Sequence, residues 1–210
     1  MAQMSMNKVI HAAFRRDLAR FTTALAAFSD GDTRRADQLA TAWANFYAQL
    51  DTHHHGEHET AWPAMEAVGV SRELLARLDA EHDRMAAALG AAQTAMTTLK
   101  ASAKRSDADA AHAAVAELRS VAGEHMDHEE AELEPVYLAK KDDPAIKQMG
   151  REFAKVGPKV GGTFFAWLTD GAGPDELASM KAEVPAPVLM LVGGIFGRGY
   201  RRDVASVWRG

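Results

Sequence analysis

From residue 11 to residue 136, apolar side chains recur at alternating steps of three and four, the stripe that an amphipathic helix turns toward a core. Four such stripes can be traced. The first runs His11, Phe14, Leu18, Phe21, Leu25, Phe28, and the second Leu39, Trp43, Phe46, Leu50, His53, Glu57. The third runs Leu75, Leu78, His82, Met85, Leu89, Ala92, Met96, Leu99, and the fourth Val115, Leu118, Ala122, His125, Glu129, Glu132 or Leu133, Val136. The expected caps of the last three are Asp32 or Thr33, Ser71, and a residue near Ser106 or Asp107, whose short oxygens satisfy orphan N–H groups. Short polar links at 29–32 and 102–106 favour antiparallel neighbours. The predicted fold is all-α, an up-down-up-down four-helix bundle with a C-terminal helical extension.

Charge divides the chain near Asp143-Pro144. Residues 1–143 carry a net −8 and residues 144–210 a net +3, and ten of the 16 glycines lie from Gly157 onward. We expect residues 1–143 to form the bundle that holds the metal site, and residues 144–210 to pack on it or to form a homodimer contact. Pro144 is placed to begin a helix reaching about Phe153. The segments 161–168 and Val188 to Phe196 are apolar enough to need burial. With no cysteine there is no disulfide, thiolate metal site or cysteine nucleophile. The net charge of −5 argues against nucleic acid as a partner. No apolar run approaches the roughly 18 residues of a spanning helix, and the N-terminus lacks a signal pattern, so the expectation is a soluble cytoplasmic protein without a transmembrane segment.

Each stripe is interrupted by histidine at a core-facing position, and two are interrupted by glutamate as well. An unpartnered carboxylate in an apolar bundle costs several kcal/mol or must take up a proton. A metal centre removes that cost. His53 and Glu57 stand four apart, as do His125 and Glu129, which places each pair on one helical face. His11 and His82 lie near the starts of their helices, and the two pairs near the ends of theirs, so antiparallel packing gathers all six at one end. The spacing also repeats: His53-x3-Glu57-x5-Pro63 matches His125-x3-Glu129-x5-Pro135 at an offset of 72, and His11 matches His82 at 71. Two pseudo-equivalent half-sites suit a binuclear cluster. Nitrogen and oxygen ligands without sulfur suit iron or manganese, with zinc also compatible.

This pattern, His11, HHHGEHETAWP, EHDRM and HMDHEEAELEP, resembles the hemerythrin-like (HHE cation-binding) family over roughly residues 5–140. The resemblance implies a four-helix bundle with a non-haem, oxo- or hydroxo-bridged pair of iron ions. His11, His53, His82 and His125 would be terminal ligands, and Glu57 and Glu129 bridges. Oxygen-carrying members add a histidine four residues from the third-helix ligand. The corresponding neighbours of His82 are Leu78 and Ala86, which argues for a more open cluster and against reversible oxygen carriage.

The leading functional expectation is therefore a di-iron oxidoreductase acting on a small oxidant or gas, with hydrogen peroxide preferred and nitric oxide or reactive nitrogen species next. The alternatives are a non-catalytic oxygen- or iron-binding protein, and a sensor that signals through residues 144–210. Among the remaining polar residues, His54, His55 and His58 read as solvated or supporting groups, although His54-x3-His58 has metal-ligand spacing. His128 is placed to hydrogen-bond a ligand, and Glu132 is the reserve carboxylate. Tyr47, Trp43, Phe46 and Trp62 read as packing residues. Pro63 and Pro135 should loosen the helices just beyond the site.

Overall fold

The computed structural model describes residues 4–185 and 188–209, so residues 1–3, 186–187 and 210 of the two expected segments lie outside the described residues. All regular structure among the described residues is helical. The four long helices are α1 (Met6–Ala26), α2 (Thr33–Gly56), α4 (Arg72–Ser102) and α5 (Arg105–Glu132), and each carries one of the apolar stripes. A π-helical turn, Glu57–Ala61, joins α2 to α3 (Trp62–Ala67), and α6 (Glu134–Lys140) follows α5. The remainder comprises α7 (Pro144–Phe153), α8 (Pro158–Thr169), α9 (Pro174–Glu183), a π-helical segment Leu189–Phe196, α10 (Arg198–Asp203) and a 3-10 turn, Ala205–Trp208.

Local chemistry sets the helix starts. Ser5, Asp32 and Ser71 accept the N–H groups of Lys8, Arg35 and Leu74, which caps α1, α2 and α4. The start of α5 departs from the sequence expectation. It begins at Arg105 with Lys104 as a cap that makes no side-chain bond, because α4 runs on to Ser102 and leaves a two-residue link. Ala103 turns that corner in the left-handed region at φ 51°, and its carbonyl accepts the Gly31 N–H at 2.8 Å. The Arg105 guanidinium donates to the carbonyls of Ala26 and Phe28, and its backbone N–H to Asp30. The α1–α2 and α4–α5 connections are thus tied together at one end of the molecule.

At the opposite end, Pro63 lacks an N–H and its ring crowds the preceding turn. The chain widens there, and the Trp62 N–H reaches back five residues to the Glu57 carbonyl. A π-turn of this kind re-aims side chains, and Glu57 is its first residue.

The apolar interior forms two clusters. The larger includes Phe14, Phe21, Phe46, Met85, Leu118 and Trp167; the smaller includes Trp62, Met65, Leu75, Leu78, Leu133 and Ile146. The order along the helices shows what divides them. Leu50 precedes His53 and Glu57, with Trp62 beyond; Leu78 and Met85 flank His82; Ala122 and Leu133 flank His125 and Glu129. A polar layer separates the clusters on three long helices.

Residues beyond 143 pack against the long helices. Trp167 of α8, fully buried, lies 5.0 Å from the Phe14 ring and donates its indole N–H to buried Asp17 at 2.7 Å. Arg16 and Arg20 hold the other Asp17 oxygen, while Arg16 also caps the carbonyls of Trp167 and Leu168. The π-helical segment packs on α8 through glycine. A Cβ at Gly162 would stand 2.3 Å from the Phe196 Cβ, closer than atoms can approach. No helix among the described residues is long and apolar enough to cross a membrane.

Candidate metal centre

The polar layer brings His11, His53, Glu57, His82, His125 and Glu129 together. His53 Nε2 lies 3.0 Å from Glu57 Oε1, and His82 Nε2 lies 3.3 Å from Glu57 Oε2, so one carboxylate faces two imidazoles with different oxygens. His82 Nε2 is 3.0 Å from His125 Nε2, which is 3.8 Å from Glu129 Oε2; that oxygen is 3.1 Å from His11 Nε2. The rings of His11 and His53 are 5.4 Å apart, edge to face, and close the circuit. His11 is fully buried, and Glu57, His125 and Glu129 are nearly so.

Short distances do not here mean satisfied hydrogen bonds. His11 Nε2, both Glu57 oxygens and Glu129 Oε1 have no partner in hydrogen-bonding geometry among the described residues, although each is shut off from solvent. Such an orphan costs roughly 1–3 kcal/mol, and more when charged. Lone pairs that crowd together without pointing at a donor are the geometry of ligands arranged about a shared cation. His11, His53, Glu57 and Glu129 each offer an atom within 4.8 Å of the others, and Glu57 is shared with a second group of the same span, His54 and His82.

Behind the imidazoles stands a set of carboxylates. Glu130 contacts His11 Nδ1 at 3.1 Å and is held by Arg15 at 2.6 Å. Glu81 contacts His125 Nδ1 at 3.1 Å and His128 Nδ1 at 2.9 Å. A carboxylate on Nδ1 fixes a proton there and makes Nε2 the atom turned toward the layer. Asp79 stands 3.7 Å from His82 Nδ1 and accepts from the Trp62 indole at 3.0 Å. Trp62 in turn lies nearly parallel to the His82 ring, 12° off at 5.8 Å.

Burial and charge compete in the layer. Burial works against the Glu57 carboxylate, but His53, His82 and His11 outweigh it and hold it well below the usual carboxylate range. Burial also opposes charge on His11, yet Glu129 and Glu130 together raise it to about 9. His54 goes the other way, pulled down to about 2 by burial and then by His53 and His82.

These features accord with one comparison. The family model for the hemerythrin HHE cation binding domain matches residues 7–178. The chain belongs to this family. No curated protein and no solved structure matches it. Hemerythrin HHE domains bind metal ions, typically iron, and the His/Glu groups of this hemerythrin-type chain could hold one. The donor set fits: imidazole and carboxylate without sulfur, several of its atoms lacking a hydrogen-bond partner among the described residues.

Sequence reasoning treated His54 as peripheral, yet its ring stacks on His82 at 4.5 Å and its Nε2 is buried. The run of three histidines at 53–55 was the available signal. His58 and His128 lie exposed against Asp79 and Glu81, and Glu132 is exposed. Tyr47 packs half-buried against the larger core. The roles of Glu81 and Glu130 were missed because each adjoins a ligand-type residue in sequence and lies off the stripe.

Proposed function

We propose that this chain is a non-haem binuclear iron protein that reacts with a small oxidant, hydrogen peroxide first and nitric oxide or reactive nitrogen species next. Its ligands are His11, His53, His82, His125, Glu57 and Glu129. The carrying observation is the closed circuit of Nε2 and carboxylate atoms, several of them buried without a hydrogen-bond partner. The long helices run up-down-up-down within residues 1–143, an order supported by the two helix connections bonded at the end away from the layer.

Iron would supply the Lewis acidity and one-electron changes that no side chain here offers. The chain's own residues do the rest. Glu57, presenting one oxygen to His53 and the other to His82, sets the separation of the two halves. Glu81 and Glu130 hold protons on Nδ1 of His125 and His11, so these imidazoles face the centre as lone-pair donors. The two apolar clusters exclude bulk water, and the His53 and His82 side chains, 9% and 12% exposed, leave only a narrow edge. So little exposed surface favours a small substrate such as a diatomic gas or peroxide.

The test is metal analysis of the purified full-length chain with peroxide turnover followed by oxygen evolution. We expect about two irons per chain and peroxide consumption that falls at least about 100-fold in Glu57→Ala, as loss of a ligand removes the ion it holds. Iron-loaded protein that evolves no more oxygen than Glu57→Ala would overturn the peroxide reading. A reversible colour change between deoxygenated buffer and air without turnover would point instead to oxygen binding.

A further inference from the structure

We propose that His54 is a seventh ligand of the centre, and that it makes the two ion positions chemically unequal. The inference rests on the binuclear reading above and deepens it.

His54 neighbours His53 in sequence but turns toward a different helix. Its ring stacks on His82 at 4.5 Å, 27° from parallel, and meets His125 edge-on at 6.2 Å. Its Nε2 is shut off from solvent and has no hydrogen-bond partner among the described residues. One ring atom of His54 lies within 4.8 Å of donor atoms on Glu57 and His82, and both Glu57 oxygens are themselves unpartnered. A histidine kept only for packing would leave a buried acceptor or donor unmet beside other unmet groups. An apolar ring would fill the same space without that penalty. Coordination meets all of these atoms at once.

The other half of the chain has no such group. At the offset of 72 that relates His53 to His125 and Glu57 to Glu129, His54 corresponds to Met126, which is 2% exposed within the larger apolar cluster. The ion beside His82 would therefore meet His54, His82 and Glu57, with His125 Nε2 3.0 Å from His82 Nε2, while the ion beside His11 and His53 would meet two imidazoles with Glu57 and Glu129. Glu129 Oε2 also lies 3.8 Å from His125 Nε2, so the carboxylates face both halves and the third imidazole is what sets the halves apart. A position with three imidazoles and one with two differ in affinity and in the metals they favour.

The experiment titrates the metal-free full-length chain with Co2+, reading stoichiometry by equilibrium dialysis and coordination by the visible ligand-field bands. The wild-type chain should take two equivalents in separable steps. In His54→Phe, which keeps a stacking ring, and in His54→Ala, one equivalent should weaken by about 10-fold or more with altered bands. The other equivalent and the helical circular dichroism should be retained. Added imidazole should restore the lost bands in His54→Ala, where the space is open, and not in His54→Phe. Unchanged affinities and bands in both variants would overturn the inference, as would loss of both equivalents together or failure of imidazole to restore the alanine variant. If the wild-type chain itself bound no Co2+, the binuclear reading would fall, whatever the variants did.

Discussion

The carboxylates behind the imidazoles decide more than their position outside the ligand circuit suggests. Glu81 stands between His125 and His128 and adjoins His82 in sequence, so it orients a buried ring from the rim of the layer. Glu81→Gln keeps the shape but no longer favours a protonated Nδ1 on His125. It should weaken metal affinity by about 10–100-fold while leaving the helical circular dichroism unchanged, as measured by competition with a chelator. Tyr200 is the corresponding case outside the layer. Burial first, then Asp17 and Asp170, pushes its phenol above the ordinary value of 10.0. The folded chain thus holds this proton more tightly than the unfolded one. The associated stability is complete below pH 10 and is lost progressively as pH rises beyond it. Urea midpoints measured from pH 9 to about 11 should fall less steeply in Tyr200→Phe than in the wild-type chain.

Among the elements, the contact between α8 and the π-helical segment is the least tolerant of added volume. The Gly162 Cβ position is closed by Phe196 and by the Val192 carbonyl at 2.7 Å, and the Gly197 position by the Gly193 carbonyl at 2.4 Å. Backbone cannot step aside as a side-chain tip can. Gly162→Ala should cost about 1–3 kcal/mol in chemical unfolding. None of the atoms crowding the new methyl belongs to the ligand circuit, so metal content should be retained. The same contact shows where sequence reading stops. The long helices were legible because period and caps act within a few residues, as at Asp32 and Ser71. The six proposed ligands could be singled out because an imidazole or carboxylate on an apolar stripe is buried at a cost that only a partner in the core can offset. His54 was not, because it lies about 100° around α2 from His53 and faces inward only because α4 packs on that side. Asp17 was hidden for the same reason. It is buried by Trp167, 150 residues away, and no local pattern on α1 announces such a partner.

At the scale of the whole molecule, the layer lies at the end away from the α1–α2 and α4–α5 connections. Hydrogen bonds from the Gly31 N–H to the Ala103 carbonyl and from the Arg105 N–H to Asp30 tie these two connections to each other. The other end brings Glu57, Glu129 and the histidines together between two apolar clusters. Cations would bind the folded arrangement far better than the unfolded chain, so metal is a stabilising ligand in the linkage sense. At a free concentration about 100 times the dissociation constant, one ion contributes about 2.7 kcal/mol. Calorimetry should show the melting temperature of the chelated protein lower by roughly 5–10 °C. Equal melting temperatures would contradict the account of the buried carboxylates.

Trp62 gives that same end an optical role. Its indole is nearly parallel to the His82 ring, 12° off at a centroid separation of 5.8 Å, and is anchored by its hydrogen bond to Asp79. Were His82 to hold an iron ion, emission from Trp62 should fall on loading and recover on chelation, which fluorescence of the full-length chain would read directly.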